Sequence, residues 1–267
     1  MGWFTKKKKR PDATDVAIRA IVLRHVISYA LMTPTREMLG NVSTSWSEDE
    51  KRSFTRDAEV VRDNFWATLG GYEKFLSPLE RSFSRTTMTT ITDAQLISAS
   101  WRVEALVPLL WALQVVDEIP PYDTQSSPDL VSDSRFADLD AFISNALLRP
   151  SEEIDAARAI AEAWHWRSRT RQLIEDGTAF PDNPEFAAAG FTSFDSIVRM
   201  SANSHEGDGT FDKMIDEDFP AFRKAYRDLT DEEWTTTRSI TMERHLALNW
   251  LCGYAPGHRW DETPTDT

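Results

Sequence analysis

Glu162 and His165 stand three residues apart in a stretch with helical periodicity, so they share one face. Glu-x-x-His is half of the ligand set that carboxylate-bridged di-metal bundles use. The second half is missing, because Glu243 and His245 are two apart and point to different sides of a helix, and no His-Glu-x-x-His occurs. Ser204, Glu206 and Asp208 followed by Gly209 imitate the opening of a calcium loop, but its twelfth position is Ile215 where a bidentate Glu is required. The sequence also lacks a phosphate-cradling Gly-rich turn, a G-x-S-x-G nucleophile elbow and paired-cysteine zinc spacing. No metal or other cofactor is expected, and the enzyme classes with legible motifs lose support.

Two stretches are unusual in another way. One is Trp164-His165-Trp166-Arg167-Ser168-Arg169; the other is Glu243-Arg244-His245 leading to Asn249 and Trp250. Each sets polar and charged groups among tryptophans on an interior helix. A buried network, in which Arg and Glu pair between helices, is one reading, since buried polar groups must find partners. The other is the polar floor of a pocket for an anionic or planar ligand. A third stretch, Trp101, Arg102 and Glu104, sits in the most apolar segment of the chain. Isolated charge there costs several kcal/mol, so the three stretches are expected to converge in space, with Arg102 and Arg244 as cations and Glu104 and Glu243 as anions.

The elements that must position these residues are helices. Apolar positions recur at helical spacing over residues 15–32, with Asp12 or Thr14 as cap. Ser47 with Glu50 reads as a capping box opening a helix that stops at Gly70-Gly71, and Thr230 with Glu233 opens a last helix over 231–252. Between them lie a short piece over 79–85, a long apolar helix over 93–116 kinked near Glu104 by Pro108, a helix from Leu139 ending at Pro150, and one over 152–176. The Pro-, Asn- and Gly-punctuated segment 180–209 reads as an insertion or cover with one short helix at 194–202, and a further short helix is expected after Pro220. No alternating run is long enough for a strand. The expected fold is all-α: a single multi-helix domain over 14–267 with helices 93–116, 152–176 and 231–252 at its centre, more than half helix and little or no strand, behind a flexible basic tail at 1–13.

Composition sets further bounds. Cys252 is the lone cysteine, which rules out an internal disulfide and suits a reducing cytoplasm, where it reads as a small core hydrophobe. No stretch approaches the roughly 18 uninterrupted apolar residues of a membrane-spanning helix, so no integral membrane association is expected. The first ten residues have neither the apolar core of a secretory signal nor the Ser or Thr of a myristoylation motif. Net charge is −13, and setting aside Lys6, Lys7, Lys8, Lys9 and Arg10 leaves −18 on the body. Such a surface repels phosphate backbones, so nucleic acid is not an expected partner. The chain has 22 arginines against eight lysines, a balance that fits planar salt bridges between helices.

The tryptophan-rich stretches also carry a resemblance. Trp101-Arg102-x-Glu104-Ala105-Leu106 running into Leu109-Leu110-Trp111-Ala112-Leu113, Glu162-Ala163-Trp164-His165-Trp166-Arg167, Glu243-Arg244-His245-x-Ala247-Leu248-Asn249-Trp250-Leu251, and Trp260-Asp261-Glu262 with Thr265-Asp266-Thr267 resemble domain-of-unknown-function family 4272, a mainly bacterial family. The likeness runs from about Ala17 to the C-terminus and is dense from Trp101; it departs from the family pattern at Gln114, where glycine is expected, and in the 180–209 insertion. The resemblance implies no activity, ligand or catalytic residue. Two functions from different classes therefore stand. The first is a binding or interaction protein, for instance an acidic partner that neutralises a basic protein. The second is an enzyme or small-ligand sensor, for a small anionic ligand, whose site draws on Trp101, Arg102, Glu104, His165, Trp166, Arg167, Arg169, Glu243, Arg244, His245 and Trp260. Convergence of those side chains on a concave pocket favours the second; burial in a dry, fully paired core favours the first.

Overall fold

The computed structural model describes residues 9–207 and 213–265. Lys6, Lys7 and Lys8 of the basic tail, Asp208 and Gly209 of the calcium-loop imitation, and Asp266 and Thr267 lie outside the described residues. The chain is 67% helical. In order the helices are α1 (Ala13–Met32), α2 (Arg36–Ser43), α3 (Glu48–Ala67), α4 (Pro78–Ser84), α5 (Asp93–Trp101), α6 (Val103–Ala112), α7 (Leu139–Ser144), α8 (Ser151–Glu175), α9 (Pro184–Ala188), α10 (Phe194–Gly207) and α11 (Asp231–Leu251).

Local chemistry starts these helices where the sequence says it should. Asp12, Ser47, Ser77, Thr92 and Thr230 each accept from the backbone N–H three residues on, and the residue there reaches back to the cap's own N–H. Two orphan donors are thereby satisfied at each start. The centre differs from the expected three helices by one addition. α11 packs along α8 and α6, and α1 packs along α5 and α6. α1 is deeply enclosed, with Val16, Ala20, Ile21, Leu23 and Ile27 wholly out of solvent. The segment Ala13–Ser43 has the length and composition to cross a membrane, yet 72% of its apolar window is buried inside the fold, the setting of a core helix.

The long apolar helix breaks two residues before the expected kink. α5 ends at Trp101, Arg102 takes φ −60° and ψ −12°, and α6 starts at Val103. Pro108 cannot donate to Glu104, so the hydrogen-bond ladder is already weakened there, and the turn at Arg102 lets both segments follow the core. The helix then closes earlier than residue 116. Val115 N–H donates to Leu110 O (2.8 Å) across Gln114, which sits at φ +59°. That is the left-handed C′ position of a Schellman closure, which favours glycine. A side chain there costs about 1 kcal/mol.

After Pro220 the chain first forms a two-residue antiparallel hairpin, Pro220–Ala221 against Lys224–Ala225, and the expected short helix is reduced to one 3-10 turn at Tyr226–Asp228. Its turn residues Phe222 and Arg223 both take left-handed backbone, φ 51° and 61°, which no residue type announces. The basic tail, expected to reach residue 13, ends earlier among the described residues: Pro11 is buried, and Arg10 Nη2 donates to both oxygens of Asp155 at 2.7 Å. Lys9 O accepts from His258 Nε2 (2.9 Å), and a Cβ on Gly253, at φ +76°, would meet Lys9 O at 2.5 Å. In the 180–209 segment α10 extends beyond 202, burying Val198 and Ala202, and α10 packs on α8.

Candidate functional site

Successive residues on a helix point about 100° apart, and Glu243, Arg244 and His245 on α11 use three directions to reach three partners. Glu243 accepts from Arg102 Nη1 (3.0 Å) at the α5–α6 junction. Arg244 donates through Nε and Nη2 to Glu104 Oε2 (3.0 and 2.7 Å) in the first turn of α6. Both members of that pair are 0% exposed. Glu104 takes two further donors, Ser126 N–H (2.7 Å) and Ser126 Oγ (2.8 Å), while Arg244 donates to the carbonyls of Pro120, Pro121 and Thr124 and lies over the Tyr122 ring. One guanidinium thus ties three carbonyls of the irregular 117–128 loop to the core, beside the Ser126–Glu104 bonds. Burial pushes the Glu243 carboxyl up from its ordinary value, and Arg102 opposes that.

His245 faces α8, where its Nδ1 meets His165 Nδ1 at 2.9 Å. The proton positions follow from the neighbours. Arg158 Nη1 donates to Asn249 Oδ1 (3.2 Å), which leaves Asn249 Nδ2 to donate to His245 Nε2 (2.9 Å) and Pro264 O (2.8 Å). A neutral His245 therefore carries its proton on Nδ1 and donates it to His165. Burial lowers both histidines, His165 to about 4 with help from Arg169 and Arg238, and His245 to about 3 with help from His165 and Arg158. Glu162, the partner expected for His165 in a metal half-site, pairs with Arg158 instead (3.0 Å).

The three stretches converge as expected for Arg102, Glu104, His165, Glu243, Arg244 and His245, and the two Arg–Glu pairs join the expected cations and anions. The remaining candidates go elsewhere. Arg167 leaves the cluster for Asp218, donating through Nε and Nη2 (2.6 and 2.8 Å), with its face over Tyr226. Asp218 also accepts from the backbone of Phe219 and Arg227. Trp166 packs near Phe219, Trp101 is half-buried at the core's edge, and Arg169 is exposed and donates to Gln172. Asp218 had no sequence signal, since it lies in a segment without periodicity.

Trp260 belongs to a different place. It packs edge-on to Trp250 (5.6 Å), with the Arg19 guanidinium 4.9 Å above its ring. Arg19 in turn pairs with the buried Glu80 of α4. A cavity of about 410 Å³ lies here between α1, the 75–78 turn, the end of α11 and the 257–262 segment. A second, of about 360 Å³, lies on the other side of Trp260 and Glu80 and reaches Arg102. Neither is lined by Glu104, His165, Arg167, Arg244 or His245. Of the polar cluster only Arg102 borders either cavity, at the edge of the second. Arg19, Asp15 and His258, which line the first cavity, were not singled out by the sequence, because their setting depends on segments distant in the chain.

No curated protein and no solved structure matches the chain. A family model described as "Domain of unknown function (DUF4272)" matches residues 5–184, two thirds of the chain. That span holds the Trp101–Leu113 and Glu162–Arg167 motifs and the helices that supply Glu104 and His165; the Glu243–Leu251 and Trp260 motifs lie beyond it. On that match the chain belongs to the DUF4272 family.

Proposed function

We propose that the protein is a binding protein that engages a basic protein partner through an acidic surface, and that the Trp/Arg/Glu/His cluster supports the fold without doing chemistry. The observation that carries this is the segment 117–140: seven carboxylates against the single basic residue Arg135, with Asp117, Glu118, Asp129, Asp138 and Asp140 exposed. Such a field attracts cationic surfaces and repels anionic ones. The Arg244 anchor holds the first part of this loop in place from below. The competing reading, an enzyme or small-ligand sensor floored by the cluster, has less support, because Glu104 and Arg244 satisfy each other out of solvent.

The test is titration of a small basic globular protein at low and at physiological salt. Binding is expected at low salt and should weaken as salt rises. Asp117→Lys/Glu118→Lys/Asp129→Lys should weaken it at least about tenfold, while Glu48→Lys/Asp49→Lys on the exposed start of α3 should leave it unchanged. Equal losses from both variants, or no binding at low salt, would overturn the proposal.

A cytoplasmic location is part of the same proposal. Cys252 is buried, its thiol donates to Asp155 Oδ1 (3.3 Å), and burial followed by that carboxylate pushes it up to about 12. A thiol so held is a packing group with little thiolate character, consistent with a reducing compartment.

A further inference from the structure

The cavity beside Trp260 has a feature that the cluster on α11 lacks, namely opposite charges that face one space without pairing with each other. Asp15 and Arg19 are four apart on α1, the spacing at which an acid and a base ordinarily meet on a helix face. Both line the 410 Å³ cavity. Yet Arg19 turns to Glu80 through Nη2 alone, and its Nε has no acceptor although the residue is 6% exposed. A guanidinium has five donor hydrogens in a planar fork, so one carboxylate oxygen and an aromatic face leave donor capacity unused. Asp15 caps the Asp12 N–H through Oδ2 (3.2 Å), and the same oxygen lies 3.6 Å from His258 Nδ1. Both contacts fall on Oδ2, and no hydrogen-bond donor among the described residues reaches Asp15 Oδ1. Asp15 therefore also keeps accepting capacity, on the same wall.

Between these groups the wall is largely apolar and aromatic, from Ile18, Phe75, Leu76, Pro78, Trp250 and Trp260, and the Arg259 and Glu262 that also border it pair with each other (2.6 Å). Asp261, whose carboxylate accepts from Leu79 N–H (2.9 Å), adds a second negative group at the border. A multiply charged anion such as phosphate is disfavoured by Asp15 and Asp261, and a simple organic cation is disfavoured by Arg19. A zwitterion with a bulky apolar body satisfies all three sets of groups. The size suits it as well, since small-molecule pockets run from about 300 to 1,000 Å³.

From this geometry we propose that the cavity binds a free amino acid with a large apolar side chain: carboxylate toward Arg19, ammonium toward Asp15, side chain between Phe75, Trp250 and Trp260. The site is independent of the acidic 117–140 surface, and either proposal can fail without the other.

The test is calorimetric titration of the full chain with L-phenylalanine, L-tryptophan and L-leucine beside 3-phenylpropionate and phenethylamine, which keep the ring but one charge each. At least one amino acid should bind with a Kd of about 1 mM or tighter, a modest value for a ligand of this size. Loss of either charge-assisted contact should weaken binding about tenfold or more. Two variants address the ends separately. Arg19→Lys keeps the charge facing Glu80 but removes the fork, and Asp15→Asn keeps an acceptor for the cap but removes the charge. Each should weaken the amino acid about tenfold while shifting the matching single-charge analogue as well. Ile18→Trp, which fills the half-open wall, should abolish binding with the melting temperature within a few degrees of the parent. No binding of any amino acid to the folded chain up to about 10 mM, equal binding of the single-charge analogues, or full binding by Ile18→Trp would each overturn the proposal.

Discussion

Replacing Arg244 with alanine is expected to destabilise the protein by about 3–5 kcal/mol, the usual consequence of leaving one half of a buried ion pair without its partner. Glu104, 0% exposed, would keep its two donors from Ser126 but lose its only cation among the described residues. The carbonyls of Pro120 and Thr124 would lose their donor together, and Pro121 O would keep only the Thr124 N–H, so the 117–128 loop should loosen as well. Chemical denaturation at neutral pH measures this directly. A loss under about 1 kcal/mol would mean that Arg244 was never needed for folding, as expected of a group kept for a ligand.

The second large effect is on acid stability. A neutral histidine pair buried between α8 and α11 must gain protons on unfolding. His165 and His245 are held at about 4 and about 3 in the fold, whereas the unfolded chain takes up their protons near pH 6.5. Below that pH the unfolded state binds more protons than the native state, so stability falls as pH drops and is regained as pH rises. The stabilisation should be complete above about pH 6.5 and decline at roughly 2–3 kcal/mol per pH unit below it, a loss of about 5 kcal/mol by pH 4.5 if both sites respond independently. His25, also lowered by burial, adds in the same direction. The carboxylates held below their ordinary range, Glu50, Asp133, Asp155 and Glu233, act in a lower window, because their stabilisation disappears only as pH falls through carboxylate values. Denaturation midpoints at pH 7.5, 6, 5 and 4.5 separate the two. The variant His165→Gln/His245→Gln should flatten the upper window; a parent curve already flat between pH 6.5 and 5 would mean that the pair is not held neutral.

Much of this architecture is legible residue by residue. Ser47 with Glu50 and Thr230 with Glu233 mark helix starts because the reciprocal bonds are local, and the local chain is what a sequence displays. The Arg–Glu pairs are legible for a different reason: a charge among Leu, Ala and Trp has no inexpensive alternative to another buried charge. What the sequence hides is geometry set by distant contacts. α2 buries no residue and carries no long stripe, so only its Thr35 cap signals it. The hairpin at Pro220–Ala225 depends on two left-handed residues, Phe222 and Arg223, that are held by their surroundings. Asp218 shows nothing of its role until α8 delivers Arg167 to it. The cavity beside Trp260 is assembled from positions 15, 76, 250 and 260, and no spacing rule links them.

The claim on which the rest depends is that the cluster on α11 is a fold-holding network, and a double-mutant cycle at Glu104 and Arg244 tests it most directly. Glu104→Leu and Arg244→Met each remove one charge and retain apolar bulk; the double variant removes both. If the pair is structural, each single change should cost several kcal/mol through the charge it strands, and the double variant should recover much of that, giving a coupling of at least about 2 kcal/mol by urea denaturation at pH 7. Single losses below about 1 kcal/mol, or losses that simply add in the double variant, would contradict it and return Glu104 and Arg244 to the list of groups kept for a ligand.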